Sequence, residues 1–395
     1  MADPIVCPSC HRRSGFASLL QLTGLPVHTT RLMHSEAMAK AFPTGNLSLR
    51  LCEQCGFIFN SEYNPELQDY LPDSEEAQTC SRVFRDWQSK LIQRLIQQWE
   101  ISNKTVLEIG CGKGSFLIEL CEQGNNRGVG YDPAFRLDPE NPLPDSVEVF
   151  ASHWQPKAGL HAADAIICRH TLEHIGPVHA LLSNIRQQLD NRRDTLLFFE
   201  VPDTQRILEE TAFWDIYYEH CSYFTKETLG DLFKRTGFDV EACWQDFDEQ
   251  YLLLIARPSS AEHLLPDSLT AGLLQDAATT FTKDYQRWIR YWHGVLIDAQ
   301  RRAEEVVLWG GGSKAVAFLG QIPGSDAIQR VVDINPRKQG KYLPGGGQRV
   351  VAPEDLKRQA PSLVILLNPA YRAEVAAHLE LLDVKAELIT LNHRA

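Results

Sequence analysis

The sequence is short of the features that would place it in a membrane, in a disulfide scaffold or on a polyanion. No stretch reaches the roughly 18 unbroken apolar residues needed to cross a bilayer, and the opening MADPIVCPSC lacks the basic and apolar regions of a secretory signal. Positive charge is scarce: 39 Lys and Arg against 51 Asp and Glu leave a net charge of −12, which argues against a nucleic-acid backbone as the main partner. Ten cysteines in 395 residues are too few for a disulfide framework. These absences lead us to expect a cytoplasmic protein with no membrane and no nucleic acid among its partners; a monomer or homodimer is expected, although the sequence does not give the oligomeric state. What is present is ordinary: 44% hydrophobic and 9% aromatic residues describe a globular chain. Its length exceeds one core, so two to three domains are expected.

Four cysteines are clustered in two pairs, Cys7 and Cys10 in CPSC and Cys52 and Cys55 in CEQC, with 41 residues between the pairs. In a reducing compartment two CxxC pairs point to a closed, structural four-thiolate zinc site. A redox pair fits less well, because no thioredoxin-like βαβ pattern surrounds them. The rest of residues 1–60 reads as irregular, with turn formers at Gly15, Gly24, Pro26, Pro43 and Gly45. A module of roughly 60 residues buries too little to be comfortable without such a staple.

Apolar residues then recur at helical spacing in VFRDWQSKLIQRLIQQW, at Val83, Phe84, Trp87, Leu91, Ile92, Leu95, Ile96 and Trp99. From Thr105 short apolar runs alternate with helical stretches: TVLEI, GVGY, VEVF, ADAIIC and TLLFFEV read as parallel strands, and DVEACW and QYLLLIAR as an antiparallel pair closing the sheet. RPSSAEHLLPDSL resembles a linker, and a long amphipathic helix is expected from about Thr270 to Ala303. EVVLW, RVVDIN, QRVV, SLVILL and ELITL give a second α/β block. The fold class is therefore α/β, with boundaries near residues 75 and 265: an N-terminal zinc domain held by the four clustered cysteines (1–75), a central domain (76–265) and a second, C-terminal Rossmann-like domain (266–395).

The central block opens with TVLEIGCGKGSFL, a strand, a loop with Gly110, Cys111, Gly112 and Gly114, and a helix. Glycines at such a turn let the backbone approach a ligand closely. A bare glycine loop is a weak signal, but Glu108 followed by G-x-G-x-G is typical of class I S-adenosylmethionine (SAM) methyltransferases rather than NAD enzymes. Asp132 ends the next strand, where a carboxylate can accept from both ribose hydroxyls. His170, Glu173 and His174 form H-x-x-E-H, which on a helix would read as a zinc peptidase. Here it follows the strand ADAIICR, so Arg169 and His170 should border the cofactor and His174 face the substrate.

After TLLFFEV, an aromatic loop carries Tyr217, Tyr218, Glu219, His220 and Tyr223. Histidine moves protons near neutral pH; Glu219 is placed to tune it and Tyr217 to hydrogen-bond an oxyanion. Nearly the whole chain now resembles the deoxysugar C-methyltransferases, which methylate carbon 3 of a nucleotide-linked 4-keto sugar. The resemblance is carried by the CxxC pairs, by EIGCGKG, H-x-x-E-H and Y-x-E-H, and by VVDINPRKQGKYLPG. It implies His220 as general base with Tyr217 and Glu219, His174 beside it, and zinc on Cys7, Cys10, Cys52 and Cys55. The family's tyrosine ahead of the SAM helix has two candidates, Tyr63 and Tyr70.

The second glycine loop is GGGSK in place of the family's alanine-rich form. Backbone amides with Lys314 can cradle a diphosphate there, or the domain only packs. Asp333 stands where a ribose carboxylate would. Arg337, Lys338 and Lys341 make a short basic loop, either solvated or on a phosphate. The expected function is SAM-dependent C-methylation of a nucleotide-linked keto sugar through a His-generated enolate, with Lys314 and Tyr223 at the substrate. Two other readings stand beside it: O- or N-methylation of a specialised metabolite, and a SAM-fold, zinc-containing binding protein without turnover.

Overall fold

The computed structural model describes residues 5–392 except 69–73, 75–77, 139–141 and 261–269. Both expected domain boundaries and Tyr70 lie outside the described residues. The apolar runs of the central block form a seven-stranded sheet in the order 238–246, 251–258, 196–202, 165–169, 105–109, 127–131, 147–150. Strands Ala165–Arg169 and Leu196–Pro202 are buried along nearly their whole length, as continuous apolar runs covered on both faces should be. The two closing runs pair antiparallel, as their spacing predicts. Tyr251–Pro258 inserts beside Leu196–Pro202 and alone runs against the rest. Strand order reverses at Thr105–Ile109, which pairs with 127–131 on one side and 165–169 on the other. A crevice opens beyond the carboxyl ends of such strands.

Residues 1–60 are more regular than their sequence implies. Phe16–Pro26 and Thr44–Cys52 form a long antiparallel hairpin, and Ile58–Asn60 adds a third strand. The register of the hairpin slips between Ser18 and Leu20 and again between Leu22 and Leu25. Each bulge breaks the two-residue alternation, so the strands do not announce themselves. The fourth strand, Ser222–Tyr223, comes from the aromatic loop of the central block.

Five parallel strands make the C-terminal sheet, in the order 349–351, 330–332, 306–309, 363–366, 387–390. Helix Thr270–Arg301 runs into it. Phe281, Tyr285, Trp288, Trp292 and Leu296, all buried, lie along one face of that helix, each worth about 1.5–3 kcal/mol of burial. They share one core with Phe213 and Trp214 of the aromatic loop, Leu19 of the N-terminal sheet and Phe318 of the C-terminal block. The helix thus joins the N-terminal sheet, the aromatic loop and the C-terminal block in one core. The other long helix, Arg82–Gln98, buries Phe84, Leu91, Ile92 and Leu95 as spaced, while Val83 is exposed. No helix among the described residues is long and apolar enough to cross a membrane.

Candidate functional site

The first glycine loop leaves strand Thr105–Ile109 with Gly110, Gly112 and Gly114 all at positive φ. At Gly110 a Cβ would stand 2.0 Å from Thr171 Oγ1, so only glycine lets the strand end close on the next loop. At Gly112 a Cβ would meet nothing within 4 Å, and this glycine lines a cavity. Gly114 caps helix Ser115–Gly124 without any side-chain acceptor, leaving that helix terminus open. Asp132 Oδ2 accepts from Gly112 N at 2.9 Å and Oδ1 from Ala134 N at 2.8 Å. A carboxylate has about four acceptor positions, so roughly two remain for a pair of vicinal hydroxyls. Burial raises the Asp132 carboxyl, against these two amides. The residues present fit SAM: an open glycine cradle, a carboxylate with spare acceptors and an apolar wall at Phe116.

Beneath the loop, burial pushes Glu108 up to about 8 in spite of Arg169. Arg169 is engaged by Glu200, Nε to Oε2 at 2.7 Å and Nη2 to Oε1 at 3.3 Å, and lies 3.9 Å from the centroid of Phe116. His170, at φ 47, places Nε2 2.7 Å from Glu200 Oε1, the oxygen that Arg169 Nη2 also approaches. Burial alone would raise the Glu200 carboxyl; Arg169 and His170 outweigh it and hold it at about 2. Sequence reasoning missed Glu200, although a carboxylate inside the apolar run TLLFFEV was a usable signal. The H-x-x-E-H segment is a short 3-10 turn, Leu172–His174, with no α-helix to place both histidines on one metal. The structure divides them: His170 joins Glu200, and His174 turns to the aromatic loop.

In that loop, a 3-10 turn at Phe213–Asp215 leads to Tyr217, Glu219 and His220. His220 is 4% exposed; its ring centroid lies 4.1 Å from that of Tyr217 and 4.8 Å from that of His174. Burial drives the His220 imidazole well below its usual range, and His174, His170 and Lys314 push the same way. Burial likewise lowers His174, opposed by Glu219. Tyr217 is raised well above an ordinary phenol by burial and nearby carboxylates. The pair is therefore a neutral imidazole, able to take a proton, beside a protonated phenol, able to donate a hydrogen bond. Burial works against Glu219, but contacts from His28, His174 and Thr29 bring its carboxyl below the usual range. Tyr223 is buried 6.3 Å from His220, ring to ring, and lies off the cavity wall. Tyr63 donates to the His174 carbonyl at 3.3 Å.

Across the cavity, the second glycine loop repeats the first. Gly311 N donates to Asp333 Oδ2 at 2.8 Å and Asn335 N to Oδ1 at 2.8 Å, matching Gly112, Ala134 and Asp132. Lys338 Nζ adds a contact to Asp333 at 3.3 Å. Lys314 is ion-paired with Asp215 of the aromatic loop, and Asp215 also pairs with Arg206, so the lysine joins the two loops. Arg337 faces Asp138 at 3.5 Å; neither it nor Lys341 lines the cavity, whereas Lys338 does. One cavity of about 580 Å³ is bordered by both glycine loops, by Arg169 and by Tyr217, His220 and Lys314.

At the other end of the N-terminal sheet, Cys7 and Cys55 bring their sulfurs to 3.7 Å and Cys10 and Cys52 to 3.6 Å. All four sulfurs lie within 4.8 Å of one another. A tetrahedron with metal–sulfur bonds of about 2.3 Å has edges of about 3.8 Å, so the cluster has the dimensions of a four-thiolate zinc site.

Residues 81–242 match the family model of a methyltransferase domain, and residues 260–391 that of a C-methyltransferase C-terminal domain. The C-methyltransferase NovU of Streptomyces niveus is 27% identical over 288 residues, 68% of this chain and 67% of that protein. Among solved structures, a putative SAM-dependent methyltransferase from Listeria monocytogenes aligns at 14% identity over 45% of this chain and all of its own, with a TM-score of 0.35. Magnesium protoporphyrin IX methyltransferase from Synechocystis aligns at 15% over 47% of this chain and 88% of its own, also at 0.35. The central sheet has the class I SAM methyltransferase fold, and the chain is a SAM-dependent methyltransferase that joins a methyltransferase domain to a C-methyltransferase C-terminal domain.

Proposed function

We propose that the chain methylates a carbon next to the carbonyl of a nucleotide-linked keto sugar, with His220 as the general base. The observation that carries this reading is one cavity in which the buried His220 imidazole and the Tyr217 phenol stand together between two glycine loops, where burial favours the neutral imidazole and the protonated phenol. SAM, when bound, supplies an electrophilic methyl group. A carbon beside a ketone becomes nucleophilic only when its proton is removed, so carbon acceptors demand a base and a partner for the developing oxyanion. His220 takes the proton and Tyr217 donates to the oxygen. His174 stands against the His220 ring and orients it, and Glu219 offsets positive charge that develops on the pair of imidazoles. Glu108, Gly110, Cys111, Gly112, Gly114, Asp132, Arg169 and His170 form the cofactor side, with Asp132 on the ribose. Lys314 and the second glycine loop face the diphosphate end of the substrate. In this reading the cysteine cluster holds a structural zinc, closed to chemistry because all four positions are protein ligands.

The test is mass spectrometry of the product formed from SAM and a panel of nucleotide-linked 4-keto sugars, read beside exchange of the α-proton in D₂O without SAM. Exchange lost in His220→Ala, and a methyl group on carbon, are the expected results. An oxygen- or nitrogen-methylated product, or a genuine substrate that never exchanges its α-proton, would overturn the reading.

A further inference from the structure

Glu219 is held by a stretch of chain that the scheme above leaves unused. Past the end of strand Phe16–Pro26, His28 and Thr29 are 2% and 1% exposed and reach across to the aromatic loop. His28 Nδ1 lies 3.2 Å from Glu219 Oε2, and Thr29 N donates to the same oxygen at 3.2 Å. The Thr29 hydroxyl bonds the other oxygen, Oε1, and lies 2.8 Å from Ser313 Oγ, at the start of helix Ser313–Gln321. A carboxylate whose two oxygens are both fixed cannot swing, and Glu219 is the residue before His220. We propose that His28 and Thr29 are positioning residues for the methyl transfer: acting through Glu219, they lock the orientation of the His174 and His220 imidazoles. The N-terminal sheet thereby contributes to the active centre, and the Thr29–Ser313 contact ties the same carboxylate to the substrate-side glycine loop.

This inference rests on the reading of His220 as base, and the experiment separates the two. Turnover is measured with the keto sugar that the panel identifies, in His28→Leu, His28→Asn, Thr29→Val, Glu219→Gln, the double variant His28→Leu with Glu219→Gln, and His220→Ala, together with SAM affinity and melting temperature. Misplacing a catalytic group by about 1 Å costs up to about 100-fold, so His28→Leu should lose about 10- to 100-fold in kcat while KM and SAM affinity hold. Asn places an amide donor near the Nδ1 position, so His28→Asn should recover most of that loss. Because His28 acts through Glu219, the double variant should be no slower than Glu219→Gln alone. If His28→Leu fails to fold, Thr29→Val, which removes only the hydroxyl donor, carries the same comparison. Wild-type kcat in the folded His28 and Thr29 variants beside an inactive His220→Ala, or additive losses in the double variant, overturns this inference alone; an active His220→Ala overturns the base reading beneath it.

Discussion

If Asp132 holds the ribose of SAM, removing its carboxylate should weaken cofactor binding by an amount its geometry fixes. Two of its acceptor positions are taken by Gly112 N and Ala134 N, which leaves roughly two for the ribose hydroxyls. A hydrogen bond to a charged group contributes about 1.5–3 kcal/mol, so Asp132→Ala forfeits about 3–6 kcal/mol. Water entering the vacated space can serve the hydroxyls, which favours the lower end, about 3–4 kcal/mol. At 1.4 kcal/mol per decade that is about 100- to 1,000-fold in Kd. Gly112 and Ala134 are only partly buried, so their orphaned amides find water and the fold survives. Isothermal calorimetry with SAM and with S-adenosylhomocysteine measures the loss, which should be equal for the two because they share the ribose. A folded Asp132→Ala protein that binds SAM within threefold of wild type would refute the ribose assignment, and with it the claim that this loop seats the cofactor as its geometry implies.

Three further outcomes follow from the same structure. His220 must be neutral to act as base, and burial lowers its pKa from the usual 6.5; kcat/KM should therefore stay flat from pH 8 down past neutrality and fall only below pH 6.5, and a midpoint above 7 would contradict the assignment. Emission spectrometry should find one zinc per chain in the native protein and less in Cys55→Ser, whose melting temperature and kcat should both drop because strand Ile58–Asn60 leads from this cysteine to the aromatic loop; a stable, active protein free of zinc would count against a structural metal. Gly45→Ala should destabilise by about 1–3 kcal/mol through overpacking, because its Cβ would stand 2.3 Å from Tyr218 Cε2 in that loop, and an unchanged denaturation midpoint would show the loop to be looser than its packing implies.

What the sequence made legible was local. The first glycine loop, Asp132 and the strands around them lie within 30 residues and carry their own punctuation, so this strand–loop–helix turn could be read directly. The paired cysteines could be read as well, because their ligand chemistry survives a gap of 41 residues. The N-terminal hairpin was hidden by its two bulges, which scramble the alternation that marks a strand. His28 and Thr29 lie in a stretch without any motif, and their partner is about 190 residues away; nothing in the local pattern announces such a pair. Lys314 was recognisable as a cation beside a glycine loop, yet its ion pair with Asp215 depends on how two blocks of the chain dock, which periodicity does not encode.

That docking bears on how a loop can do precise chemistry. Residues 213–224 contain only one 3-10 turn and a two-residue strand, too little internal structure to hold an imidazole to a fraction of an ångström. Their rigidity is borrowed. Cys221 O accepts from Asn60 N at 2.9 Å, Phe213 O and Ile216 O accept from Gln321 at 3.1 and 3.2 Å, and Phe224 O accepts from Thr204 N at 2.8 Å. The N-terminal sheet, helix Ser313–Gln321 and the central block each fix a different point of the loop. Loops hold a group less precisely than helices or strands unless packing and hydrogen bonds around them supply the support, and here that support comes from all three bodies at once. If the cysteine cluster staples the N-terminal sheet and His220 is the base, loosening that sheet releases one of the points that hold the imidazole, and a change at the cysteines should be felt in turnover as well as in stability.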